Sequence, residues 1–326
     1  MNCLIIGNGG WGTALGMTLA GNSHQVTVWG PFEEEIQAIR EAGENIVYLP
    51  GVKIPSTLKW TSDPADVNDA ELIVLVVPSR FVRSTLETFK PYLPENALIV
   101  SATKGLDEKT HHRISETAFD VLGRSICVLS GPSHAEEVAR GVPTAVTVAG
   151  ESSRELRKIQ QTFSGKTFRV YTSDDVIGVE LGGTLKNIIA VAAGIIDGMG
   201  LGDNSKAAIM TRGLAEMTRL GVALGANPET FSGLSGIGDL IVTCGSRHSR
   251  NRAVGERLGK GESLKEIMSG MKQVAEGVWN AKAARDLARE HNIEMPITEE
   301  VCAIVEEGKE PRQTLKDLMS RDPKAE

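Results

Sequence analysis

Residues 7 to 16 read GNGGWGTALG and follow directly on the apolar run NCLII, residues 2 to 6. Cys3–Ile6 reads as a buried strand, and the small and apolar residues Thr13–Gly21 read as a helix packed closely on a sheet. Between them the glycines have separate tasks. Gly7 permits the tight bend, Gly9 lets the backbone approach a pyrophosphate, and Gly12 lets helix and strand touch. Phosphates would then rest on backbone N–H groups at the positive end of the helix. Glycines in a turn also serve packing alone, but a strand before and a helix after are the context a dinucleotide site needs.

Working outward, the chain has 326 residues, enough for two cores of ordinary size. Its formal charge of −7 speaks against a general nucleic-acid or anionic-membrane binder, which needs a basic excess. An anionic ligand must therefore meet a local basic cluster. Cys3, Cys127, Cys244 and Cys302 are scattered without C-x-x-C spacing, which predicts reduced thiols and no metal centre. The apolar runs LIVLVVP and IIAVAAGII are short for a bilayer, and residues 1 to 20 lack the design of a secretory signal. The expectation is a soluble, cytoplasmic protein with no integral membrane segment.

Up to about residue 173, runs rich in Val, Ile and Leu alternate with amphipathic stretches. Strands are predicted at Cys3–Ile6, Gln25–Trp29, Leu72–Val77, Ala97–Ser101, Ser125–Leu129, Thr144–Val148 and Thr167–Tyr171. Helices are predicted at Thr13–Gly21, Glu33–Ala42, Arg80–Phe89, Thr110–Leu122 and Ser152–Phe163. That alternation predicts an α/β fold, a Rossmann-type, doubly wound, mainly parallel sheet, over residues 1–173. Beyond Asp174 the β-branched runs give way to helical patterns, predicting an all-helical domain over 174–326. Its first helix, VIGVELGGTLKNIIAVAAGIIDG, is apolar on most faces and suits a buried centre. Further helices are expected from Pro228 and from about Ser263, Val274 and Thr298. The apolar helical half also makes a homodimer an expectation.

Several segments end a strand where an open α/β sheet binds its ligands. VVPSRFVR, residues 76 to 83, offers Ser79 as a helix N-cap; SATKGL, residues 101 to 106, adds the cation Lys104; SGPSHA, residues 130 to 135, offers small residues and free amides. Lys186 stands out because it lies inside an apolar helix, where an ammonium is costly unless something pairs or uses it. Desolvation would bring its pKa toward neutrality and fit it to exchange a proton, and Asp239 in GIGDLIVTC is the natural counter-charge. Snorkelling to the surface is the alternative for Lys186. RHSRNRA, residues 247 to 253, concentrates Arg247, Arg250 and Arg252, with Ser249 as a cap, an arrangement suited to phosphate or to a solvated helix face.

Together GNGGWGTA, VVPSR, SATKGL, SGPSHAEEVARGVPTAV, GGTLKNIIA, TRGLAEMTRLG, GIGDLIVTC, SRNR, VAEG and EMPITEE resemble the bacterial NAD(P)-dependent sn-glycerol-3-phosphate dehydrogenases, in the family's order from residue 7 to residue 300. The resemblance implies reversible hydride transfer between NAD or NADP and dihydroxyacetone phosphate, giving sn-glycerol 3-phosphate for glycerophospholipid synthesis. It implies that Lys186 exchanges the proton, that Lys104 polarises the substrate and that Asp239 orients the lysine. Ser249, Arg250 and Asn251 would hold the phosphate, with Gly131, Ser133 and Asn187 lining the substrate site. Beside the glycine turn of Gly7, Gly9 and Gly12, the cofactor would meet Gly10, Trp11, Lys104, Ala135, Arg250, Val274 and Glu276. After the second strand, VTVWGPFEEE departs from the family near Pro31. No arginine awaits a 2′-phosphate there, and Glu33 is expected to approach a ribose hydroxyl, which tilts the choice to NAD. Two other readings are a β-hydroxyacid dehydrogenase, in which asparagine follows the lysine by four residues where this chain has Ala190, and a nucleotide sensor without catalysis.

Overall fold

The computed structural model describes residues 1–67, 69–271 and 275–322. Its sheet runs through β1 (Asn2–Ile6), β2 (Gln25–Trp29), β3 (Leu58–Thr61), β4 (Leu72–Leu75), β5 (Leu98–Ser101), β6 (Cys127–Ser130), β7 (Thr144–Ala149) and β8 (Phe168–Ser173). The spatial order is β3-β2-β1-β4-β5-β6-β7-β8. Every neighbouring pair is parallel except β6 with β7. The order of the first six is that of a dinucleotide-binding sheet, whose direction of winding reverses between β1 and β4.

Helices cover both faces of this sheet, which is why its strands are apolar on both sides. Ile5, Val28, Val74 and Val100 belong to one core. Leu4, Ile6, Ile73, Leu75 and Ile99 belong to another on the opposite face, as the period of two requires. The covering helices are α1 (Gly10–Gly21), α2 (Glu33–Ala42), α3 (Val82–Phe89), α4 (Ile114–Leu122), the single turn α5 (Ala135–Val138) and α6 (Ser153–Phe163). α2 has the bounds read from its pattern: acids fill its first turn, Ile36 and Ile39 are buried, and Gly43 ends it at φ 62°.

After β8 the chain is helical: α7 (Val176–Gly198), α8 (Asp203–Ala223), α9 (Pro228–Phe231), α10 (Asp239–Gly245), α11 (Arg250–Gly259), α12 (Leu264–Ser269), α13 (Glu276–Glu290), α14 (Pro296–Glu307) and α15 (Pro311–Met319). α7, with 23 residues, is long and apolar enough to cross a membrane, more than its shorter apolar run suggested, but from Gly178 to Ile196 it is buried as the core helix of this half. It meets α11 backbone to backbone. A Cβ on Gly194 or Gly198 would strike the carbonyls of Arg252 or Glu256, and one on Gly255 would strike that of Val191.

Several expectations are corrected. β3 was not foreseen, because LKWT is short and carries a lysine. α4 begins only at Ile114, since the amides of Lys109 and Thr110 bind the Asp107 carboxylate and His111 takes φ 58°, which ends any helix there. Ser79 caps no helix: it opens a 3-10 turn over Ser79–Phe81, and its hydroxyl is used elsewhere. Val274 lies outside the described residues.

Candidate active site

The glycine turn sits at the carboxyl end of β1, against the chain leaving β4. Gly7 takes φ 128°, and a Cβ there would stand 2.7 Å from the carbonyl oxygen of Val76. A Cβ on Gly12 would strike the carbonyl of Gly7 itself, so the helix can start this close only as glycine. Gly9 is the opposite case. A Cβ there meets nothing within 4 Å, which leaves open space in front of the first turn of α1. A crowded turn whose exposed backbone faces open space fits a dinucleotide pyrophosphate. Gly10 lies beneath Tyr48, with the Cβ of Ala135 3.7 Å from its own Cβ position, and Trp11 is half-buried against the core of that face.

The second half of the site is a buried charge cluster. Lys104 follows β5, Lys186 lies midway along α7, and Asp239 opens α10 after a π-helical segment, Leu234–Gly238. Lys186 Nζ donates to Asp239 Oδ1 at 2.7 Å, and Lys104 Nζ donates to Asp239 Oδ2 at 2.6 Å. One carboxylate thus serves two ammonium groups. Lys186 is 5% exposed and Asp239 1%, which excludes the snorkelling alternative. Burial brings the Lys186 pKa down to about 8, with Asp239 pulling it back up and Lys104 adding to the fall. Burial alone would raise Asp239, but the two ammonium groups, Lys104 foremost, hold it below the usual carboxylate range.

Around this cluster the loops are fixed by side chains from the helical half. Thr184 Oγ1 accepts from the amide of Gly105 at 2.9 Å, and Asn280 Oδ1 accepts from that of Leu106 at 2.7 Å, so the backbone beside Lys104 is pinned twice. Glu276 Oε2 accepts from Ser79 Oγ at 2.8 Å and from Asn280 Nδ2 at 2.9 Å. Its carboxylate is therefore bonded to the loop after β4, and burial raises its pKa. The carbonyl of Gly131, at φ 141°, accepts from Lys104 Nζ at 3.2 Å and from Ser133 Oγ at 2.9 Å. Asn187 Oδ1 accepts from Asn251 Nδ2 at 2.9 Å, and Asn251 Oδ1 accepts from the amide of Gly277 at 2.8 Å. Ser249 caps α11 through the amide of Arg252. The arginines divide: Arg252 is committed to Asp197 at 2.7 Å, whereas Arg250 is open to solvent. Surrounding protein nevertheless lowers the Arg250 pKa, the combination expected of a side chain lining a cleft.

Models of the NAD-dependent glycerol-3-phosphate dehydrogenase N-terminus and C-terminus match residues 2–156 and 175–316. The glycerol-3-phosphate dehydrogenase [NAD(P)+] of Moorella thermoacetica is 51% identical over 97% of this chain and 95% of its own length. This chain belongs to the NAD(P)-dependent glycerol-3-phosphate dehydrogenases. The enzyme of that name from Halalkalibacterium halodurans is 49% identical, over 100% of this chain and 95% of the relative. Among solved structures, the glycerol-3-phosphate dehydrogenase of Coxiella burnetii superposes with a TM-score of 0.95 at 40% identity, covering 98% of this chain and 99% of that one. That of Plasmodium falciparum superposes at 0.88 and 28% identity, over 100% and 97%.

Within this dehydrogenase fold, sequence reasoning missed Thr243. Lys186 Nζ donates to its hydroxyl at 2.6 Å, giving the lysine two acceptors. The spacing could have shown it, since Thr243 follows Asp239 by one helical turn on α10. His134 was also passed over. It lies near the cluster, and burial first and Lys186 second lower its pKa. Glu33, expected near a ribose hydroxyl, has its carboxylate bound by Arg40 at 3.0 Å and by Ser62 Oγ at 2.6 Å.

Proposed function

We propose that residues 1–173 hold the dinucleotide and that residues 174–326 supply the chemistry of a glycerol-3-phosphate dehydrogenase, reversibly reducing dihydroxyacetone phosphate to sn-glycerol 3-phosphate. The observation that carries the residue roles is Asp239 shared by Lys104 and Lys186 at 2.6 and 2.7 Å. The nicotinamide cofactor, when bound, supplies or accepts the hydride at C2. Gly7, Gly9, Gly10, Trp11, Gly12 and Ala135 form its seat, with Glu276, Lys104 and Arg250 bordering it.

Reduction of a ketone leaves an alkoxide, so cations near that oxygen favour the transition state over the neutral carbonyl. Lys186 gives the oxygen its proton and takes it back in the reverse direction, a task suited to its pKa of about 8. Lys104 adds positive charge and Asp239 fixes both ammonium groups. Arg250, Ser249 and Asn251 grip the phosphate far from C2, which orients the carbonyl, and Gly131, Ser133 and Asn187 line the space between. The product is the phosphorylated glycerol from which glycerophospholipids are made, which suits a cytoplasmic enzyme.

The test is nicotinamide absorbance when purified protein meets dihydroxyacetone phosphate with NADH and, separately, with NADPH. Rapid oxidation is the expected outcome. Folded protein that binds nucleotide yet oxidises neither would overturn the reading.

A further inference from the structure

A dinucleotide turn usually meets an acid at the end of the second strand, about 20 residues on, that accepts from the adenosine ribose 2′-hydroxyl. Here that place holds Gly30, followed by Pro31 and by Phe32, which is 61% exposed. None of the three is charged. The room an acid would use is filled from the opposite side, because a Cβ on Gly30 would stand 2.6 Å from Cγ of Asn8, the residue between Gly7 and Gly9. Asn8 Nδ2 in turn donates to Glu35 Oε2 at 2.9 Å. The carboxylate can only accept, which fixes the amide with its nitrogen toward Glu35. Asn45 holds the backbone of this residue, its Nδ2 donating to the Asn8 carbonyl at 2.8 Å and to Thr13 Oγ1 at 2.9 Å.

We propose that Glu35, held against the glycine turn by Asn8, supplies the carboxylate missing from the end of β2 and selects a free ribose 2′-hydroxyl over a 2′-phosphate. This rests on the reading of the glycine turn as a dinucleotide seat. A hydroxyl can donate to Glu35 or to the Asn8 oxygen, whereas a phosphate, an acceptor carrying charge of the same sign, is repelled. The neighbouring ions leave the task to Glu35, whose partners, the Asn8 amide and the Tyr48 hydroxyl, are neutral and leave its charge uncompensated. Glu33 is bound to Arg40 and Ser62, and Arg40 gives its other nitrogen to the carbonyl of Trp60 at 2.6 Å, so its guanidinium is committed away from a 2′-phosphate. The nucleotide so selected is NAD(H), and the residue that selects it is Glu35 rather than Glu33.

Calorimetric titration with ADP-ribose and with its 2′-phosphorylated form tests this without turnover. The wild type should bind ADP-ribose at least about tenfold more tightly, a difference of about 1.4 kcal/mol. Glu35→Gln should narrow the gap to about threefold or less, and Glu33→Gln should leave it at the wild-type value. In the wild type the gap should also shrink as salt rises from about 0.05 M to about 0.5 M, which needs no variant to fold. A wild-type ratio near one, a ratio unmoved in Glu35→Gln, or a ratio indifferent to salt overturns the assignment. If the wild type binds neither compound, the dinucleotide reading of the glycine turn falls as well.

Discussion

On the proposed reading, the glycine turn and the lysine cluster recognise their ligands by opposite means. The turn lies within six residues, Gly7 to Gly12, and works by what is missing: side chains that would strike Val76 or the turn itself, or fill the open space before α1. The cluster works by what is present, three charged side chains from the loop after β5, from α7 and from α10, with Lys104 and Asp239 135 positions apart in the chain. A backbone site is written where it stands. A side-chain site is assembled by the fold, and each member depends on loops pinned from the other half, as Thr184 and Asn280 pin the backbone beside Lys104.

If the two regions divide binding from chemistry in this way, single changes should separate them. Lys186→Ala should lower kcat by about 1,000-fold while NADH affinity stays within about twofold of wild type, as measured by steady-state rates and fluorescence titration. Activity above about a tenth of wild type would remove the lysine's role. Asp239→Asn should lower kcat by about 100-fold and, because it leaves the buried Lys186 and the part-buried Lys104 without a counter-charge, cost about 3–5 kcal/mol in chemical denaturation. The mirror experiment is Gly12→Ala, which forces the start of α1 away from Gly7. Nucleotide should then bind about tenfold or more weakly, and retained affinity would show that the turn is not the seat.

The smallest effect is one of pH. If Lys186 exchanges the proton, the rate of reduction should fall by about tenfold per unit above the pKa of about 8, while oxidation, which would use the neutral amine, should rise toward that pH and level off. Lys186→Ala should abolish both limbs. Identical profiles in the two directions would assign the proton to another group.

What could be read in advance follows the same division. β1, α1 and α2 carry their own signals, an apolar run, spaced glycines and an amphipathic turn with an acidic start, so local pattern suffices. β3 escaped because its four residues gain their strand character from pairing with β2. Ser79 has the composition of a cap, but its hydroxyl is taken by Glu276, 197 residues away. Lys186 and Asp239 were legible from cost, since neither is tolerable alone in an apolar segment. That Lys104 shares the same carboxylate was not, because no local feature reports which strand end a helix will face. Glu33 and Glu35 are indistinguishable by composition. Their different duties follow from the helical phase of α2, which turns Glu35 to Asn8 and Glu33 to Arg40 and Ser62.

The shared carboxylate also sets an order in time. A ribosome making this chain delivers every strand of the sheet by Ser173, and with them the glycine turn and Lys104, while Asp239 and Arg250 have yet to be joined. The glycine turn is therefore made long before the three-charge cluster can be assembled. In a chain broken off before Asp239, Lys104 would have no carboxylate to meet.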